Sequence, residues 1–230
     1  GISQEPLGAA ACVKGKQFLA EKRLRNSNYT AESDSSVDVS YYKLNLTIDP
    51  TKQSLVAATT ILFLPKKTVS TCYFSLTNSL TIDSVTIGTK KIAFKHQNGQ
   101  VQLTLDKSYS ANSKVTATVY YHGKPPKNAN EAFNFTTHGS NNFPVVWSLS
   151  EPFGAADWWV CKNDLSDKAD SSDVWITMPS AYVSVSNGIL EKKETDGLQT
   201  TYRWKNRYPI ADYLISIACT NYAEYSNYFV

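Results

Sequence analysis

The sequence predicts an all-β, antiparallel, single-domain fold of the sandwich kind. Three observations carry that expectation. Apolar and polar residues alternate with a period of two through most of the chain. Turn signals separate the alternating runs at roughly 8–12-residue intervals. Tyrosine is heavily used, at 14 of 230 residues, with abundant Thr, Ser and Val, which suit a pleated, half-buried surface.

Taken in order, Gly8 to Arg25 is the one helical candidate, with Val13, Phe18 and Leu19 among Ala, Lys, Gln and Glu, although Gly15 weakens it. The polar stretch Asn26–Ser36 reads as a linker, which divides the chain into 1–36 and a β domain over 37–230. From Val37 the period is two: Tyr42, Leu44, Leu46 and Ile48 alternate with Lys43, Asn45 and Thr47, and Asp49-Pro50 ends the strand. Leu55–Leu64 is apolar on both faces and is closed by Pro65. Short runs follow at Leu80–Ile82, Val85–Ile87 and Lys91–Lys95. Asn98-Gly99 predicts a two-residue hairpin between Ile92–Phe94 and Val101–Leu105, and Asp196-Gly197 a second between Ile189–Glu194 and Gln199–Trp204. Val115–Tyr121 and Tyr213–Cys219 complete the strand pattern.

Composition removes several function classes. Forty-two per cent hydrophobic and 19% charged residues are those of an ordinary globular chain. A net charge of +3 with no Lys/Arg stripe gives no support for a nucleic-acid partner. No apolar run approaches the ~20 residues of a membrane span. The chain starts at Gly1, has a single methionine, Met178, and stops on Tyr228-Phe229-Val230, the pattern expected of a processed, exported piece of a longer protein. Cys12, Cys72, Cys161 and Cys219 form no Cys-x-x-Cys pair, so a structural zinc site has no support. Cys72 and Cys219 read as buried thiols in strands; the full pairings of four cysteines stay open.

The three histidines, His96, His122 and His138, form neither His-x-x-x-His nor His-Glu-x-x-His. His96 reads as solvated near a hairpin turn and His122 as a turn cap beside Gly123. Ser148 and Ser150 have no evident His or Asp partners. Glu151, Asp157, Asp164 and Asp167 are candidates for a paired-carboxylate site, against which loop aspartates usually cap turns, as Ser166-Asp167-Lys168 suggests. A self-contained enzyme is therefore not indicated.

The thirty residues Ser150–Pro179 stand apart from the strand pattern, with a Glu-Pro, two adjacent tryptophans, a cysteine and five aspartates. Ser150-Glu151-Pro152-Phe153-Gly154-Ala155, Trp158-Trp159-Val160-Cys161, Asp167-Lys168-Ala169 and Asp173–Pro179 together resemble the N-terminal domain of aminopeptidase N-like zinc metallopeptidases. Asp38–Leu46 is similar to that family's opening strand, Val119-Tyr120-Tyr121-His122-Gly123 to its Tyr-x-Gly strand end, and Tyr208–Ile215 to its closing Pro-x-x-x-Tyr-Leu stretch. The ordered set covers roughly 37–222.

This resemblance implies a twisted β-sandwich or saddle-like domain packed against a thermolysin-like catalytic domain. That downstream domain would hold the zinc; no cofactor and no catalytic residue is expected in this chain, which alone should hydrolyse nothing. The resemblance also implies that Glu151 binds the α-amino group of a peptide's N-terminus. A carboxylate in a partly dry cleft forms a strong charge-assisted hydrogen bond with an ammonium, and such a site penalises internal peptide bonds. Leu149 stands where the family often has a Gln lining the pocket for the first side chain. Lys162-Asn163-Asp164-Leu165 replaces the common Phe-Asp-Glu-Pro. Two rival readings are a carbohydrate- or protein-binding module using Trp158 and Trp159, and a scaffold from a catalytically dead homologue. Adjacent residues in extended chain face opposite ways, so one tryptophan can be core while the other faces a partner; core or interdomain packing is the preferred reading of the pair over a sugar-stacking platform.

Overall fold

The computed structural model describes residues 33–127 and 132–223. The helix expected over Gly8–Arg25, Cys12 and most of the Asn26–Ser36 linker lie outside them. The strands are β1 (Val37–Asp49), β2 (Ser54–Pro65), β3 (Val69–Ser75), β4 (Leu80–Ile87), β5 (Lys90–Ile92), β6 (Phe94–Gln97), β7 (Gln100–Tyr109), β8 (Val115–Gly123) and β9 (Phe133–His138). They continue as β10 (Phe143–Ser148), β11 (Lys168–Ala169), β12 (Ser171–Pro179), β13 (Val183–Ser186), β14 (Ile189–Asp196), β15 (Gln199–Asn206), β16 (Ile210–Ala211) and β17 (Ile217–Thr220). Two 3-10 turns, Gly154–Asp157 and Asp212–Leu214, interrupt them. The fold is all-β, as the alternation predicts.

One layer is an eight-stranded sheet in the order β14-β15-β12-β1-β2-β8-β4-β5. Its inner face meets the three-stranded sheet β3-β7-β6 and the four-stranded sheet β13-β17-β10-β9. Phe63 of β2 touches Phe74 of β3 edge-on at 5.7 Å, and the Trp204 indole of β15 donates to the Ser184 carbonyl of β13 at 2.9 Å. One apolar cluster runs through all three sheets. All pairings are antiparallel except β1 with β12, which runs parallel from Tyr41↔Ser171 to Thr47↔Thr177. A parallel pair needs a long crossover, and here most of the chain intervenes.

Side chains follow the period-two rule closely. Tyr42, Leu44, Leu46 and Ile48 are buried, while Asn45 and Thr47 face out. β2 is the instructive exception in sequence: it reads as apolar on both faces, yet Leu55, Ala57, Thr59, Ile61 and Phe63 are buried and Val56 is 60% exposed. The outer face of the large sheet is simply uncovered by any described element. The Asn98-Gly99 hairpin is present, closed by Gln97↔Gln100, with both residues at positive φ (51° and 73°) as a two-residue type I′ loop requires. The second hairpin is closed by Asp196↔Gln199, so its loop is Gly197-Leu198, one residue later than the Asp-Gly pair suggests.

Two expected strands are divided. Lys91–Lys95 breaks at Ala93, where the chain leaves the eight-stranded sheet as β5 and enters the three-stranded sheet as β6. Tyr213–Cys219 begins in a 3-10 turn and becomes strand only at Ile217. Cys72, Cys161 and Cys219 are free and fully buried. Burial pushes the Cys219 thiol up to about 12, so these thiols are inert packing groups.

Candidate functional site

The Ser150–Pro179 stretch leaves β10 in the four-stranded sheet and returns as β12 in the eight-stranded one, so its chain must pass between layers. It does so with several of its backbone donors and acceptors paired to the flanking elements. Leu149 N–H donates to the Ala132 carbonyl (3.0 Å) and Gly154 N–H to the Ser150 carbonyl (2.7 Å). Ala156 accepts from Thr77 N–H (2.8 Å), and Cys161 exchanges two backbone bonds with Ser75 of β3 (2.7 and 3.2 Å). Gly154 lies so close to Ala132 that a Cβ there would sit 2.7 Å from the alanine methyl, a close approach only glycine allows.

Both tryptophans point inward and are 0% exposed. Both are therefore core packing groups, the reading preferred for the pair, and neither is left to face a partner: Trp158 closes a 3-10 turn, so the strand rule of alternate faces does not apply. Trp159 meets Tyr42 edge-on at 4.8 Å, and Trp158 packs on Phe133 at 5.3 Å. Neither can serve as a sugar-stacking platform, which removes that reading's main support. The Trp158 indole N–H donates to Ser150 Oγ at 2.9 Å.

Between these anchors the segment presents its surface residues. Ser150 is 3% exposed, while Leu149 is 39% exposed and Glu151 is exposed, joined to Pro152 by a cis peptide bond. Leu149 and Glu151 thus flank a buried serine and are both exposed. Leu214, 44% exposed, lies on the neighbouring 3-10 turn, and Ser148 Oγ accepts from Ile217 N–H (2.9 Å) just beyond it. Of the four candidate carboxylates, Asp157 is buried, Asp164 caps its own turn by accepting from Ser166 N–H (2.9 Å), and Asp167 is a buried ion-pair partner. Asp164 and Asp167 converge on the Lys162 ammonium, and Asp167 is not the turn cap its neighbours suggest. Glu151 alone of the four is exposed.

The loop after Cys161 holds a buried cation. Lys162 is 3% exposed; its ammonium pairs with Asp167, lies 3.8 Å from Asp164, and donates to the Val37 carbonyl at 2.7 Å. Its N–H donates to the Tyr42 hydroxyl at 3.0 Å. β1 and the Cys161–Asp167 loop are thereby held together.

Sequence reasoning missed Asp212, which lies fifty residues further along the chain. Its carboxylate, 2% exposed, accepts from Tyr213 N–H at 2.7 Å and from the Asn163 and Asp164 backbones and the Cys161 thiol. Burial pushes its pKa up to about 7 from 3.8, against the pull of those donors. The folded state therefore holds a proton that the unfolded chain has released between about pH 4 and about pH 7. This contribution to stability is full below about pH 4 and is lost as pH rises through about 7. Asp164 acts in the opposite sense at lower pH. Its burial is outweighed by hydrogen bonds from Ser33 and Ser166 and by the charge of Lys162, which bring it to about 2. In thermal melts of the wild type the midpoint falls between about pH 4 and pH 7, and in Asp212→Asn that fall is reduced by most of its size. Equal slopes in the two proteins would show that Asp212 is not the group.

The histidines lie apart from this segment. His96 is not simply solvated: its Nε2 is 3.0 Å from the Leu76 carbonyl. His122 pairs with Asp83 at the surface, and His138 meets Thr220 and Asn221. Among the described residues no group of three or more His, Cys, Asp or Glu is arranged to hold a metal ion, and no helix is long and apolar enough to cross a membrane.

Comparisons with known proteins bear on this arrangement. The family model for the peptidase M1 N-terminal domain matches residues 38–214. A search of curated proteins finds no match. Among solved structures, the chain is similar to an M1 zinc metallopeptidase from Deinococcus radiodurans, with a TM-score of 0.73 and 18% identity over 84% of this chain and 44% of that one. A mutant of the M1 zinc metallopeptidase from the same organism, bound to a Tyr-Ser-Ala substrate, gives 0.71 and 19% over 81% and 43%. A two-domain M1 zinc metallopeptidase mutant bound to L-tryptophan gives 0.71 and 18% over 81% and 43%. The chain thus spans less than half the length of these structures.

Proposed function

This chain belongs to the peptidase M1 N-terminal domain family, and on that premise we propose that it is the non-catalytic part of a zinc-dependent aminopeptidase, holding the substrate's N-terminus through Glu151. The observation that carries the reading is the exposed Glu151 carboxylate set on a backbone pinned at Leu149, Ser150 and Gly154. A charged group on so constrained a backbone offers an acceptor to an ammonium, which favours a free chain end over an internal peptide bond. Leu149 beside it adds apolar surface for the first side chain and favours an uncharged one there. The described residues provide no metal site, so no step is assigned to zinc in this chain; in a partner peptidase domain the metal would activate the attacking water.

Glu151→Gln in the full-length parent tests this reading. It keeps shape and hydrogen-bonding capacity but removes the charge, so kcat/KM for aminoacyl substrates falls about 10- to 100-fold, the weight of a charged hydrogen bond. Unchanged kcat/KM would refute the assignment. A full-length protein with no hydrolysis at all would favour the dead-scaffold reading instead.

A further inference from the structure

We infer that Trp158 is a positioning residue for Glu151, acting through the hydroxyl of Ser150; this rests on the assignment of Glu151 to the amino-group site. Ser150 is buried, immediately precedes the exposed glutamate, and is fixed at two atoms. Its carbonyl accepts from Gly154 N–H at 2.7 Å, and its Oγ accepts from the Trp158 indole at 2.9 Å. The preceding residue is tied to Ala132, whose methyl closes on Gly154. Glu151 therefore leaves a backbone with little freedom, and the side chain that sets Ser150's rotamer comes from the far end of the 3-10 turn.

A tryptophan buried in a core ordinarily needs some acceptor, so packing alone is the competing explanation. Its neighbour answers that. Trp159 is equally buried, and its indole nitrogen has no hydrogen-bond partner among the described residues. The same core tolerates an unpartnered indole one residue away, so the Trp158–Ser150 bond is not something the packing enforces. Misplacing a binding group by a fraction of an ångström weakens capture without altering chemistry performed elsewhere. The loss therefore belongs in KM.

The experiment uses the full-length peptidase with Trp158→Phe, Ser150→Ala and Glu151→Gln, singly and combined. Trp158→Phe keeps an aromatic ring but loses the indole donor and part of the buried ring volume, so Ser150→Ala, which removes the acceptor alone, is the cleaner of the two variants. Each raises KM for an aminoacyl substrate about 3- to 10-fold, with kcat changed less than about twofold. In the Glu151→Gln background their effect shrinks to less than about twofold, because the charge they position is already gone. A lowered melting temperature with unchanged KM overturns the inference, as does an undiminished KM effect in the Glu151→Gln background. If Glu151→Gln itself leaves kcat/KM unchanged, the amino-group assignment falls and this inference with it. If Glu151→Gln acts but the other two do not, only the inference falls.

Discussion

Lys162→Ala destabilises the domain by about 3–5 kcal/mol, because it strands a buried carboxylate. Asp167 has a side chain only 6% exposed, and beyond Lys162 it accepts from Val39 N–H at a long 3.4 Å. Removing the ammonium also frees the Val37 carbonyl, at the very start of β1. Both charges were costly to bury, so the pair's net worth is far smaller than the cost of breaking it. The double variant Lys162→Met/Asp167→Leu should accordingly recover most of the loss. Urea denaturation of the three proteins checks this. A single-variant loss under about 1 kcal/mol would mean that water reaches the site and screens the pair.

Trp159→Ala costs a similar amount, about 3–5 kcal/mol, by opening a cavity at the centre of the molecule. The ring fills space between Tyr42 of β1 and Trp158, and the chain beside it bridges to Ser75 of β3. The elements on either side are held apart by their own pairings, so they cannot simply close on the cavity. Trp159→Phe should cost much less. The lost indole nitrogen had no partner among the described residues, so its removal sacrifices ring volume but no hydrogen bond. Equal losses in the Ala and Phe variants would show that the indole N–H, and not the ring's volume, is what matters.

Local pattern reveals much of this fold because so much of it is period-two strand over a single core. β1 could be read residue by residue, and the Asn98-Gly99 hairpin from its turn chemistry. What failed to show was decided by contacts across long separations. Lys162 stands out in sequence only as a replacement for a family phenylalanine, since lysine is seldom buried unless paired and nothing local reveals Val37 as its acceptor. Asp212 is brought to Cys161 and Asn163 by the pairing of β11 with β16, which no local pattern encodes. Core packing is the preferred reading of the tryptophan pair, but that both rings turn inward is not legible, because the 3-10 turn that defeats strand alternation there has no local signature. Glu151 was legible only through its resemblance to a family, because an exposed glutamate before a proline carries no chemical signature of its own.

The central claim is that Glu151 touches the substrate's amino group, and the most direct test is a crystal structure of the full-length protein with a free amino acid bound. The account predicts the amino nitrogen within hydrogen-bond distance of the Glu151 carboxylate, with Leu149 against the side chain. An amino group held wholly by residues of another domain, with Glu151 remote and facing solvent, would contradict it.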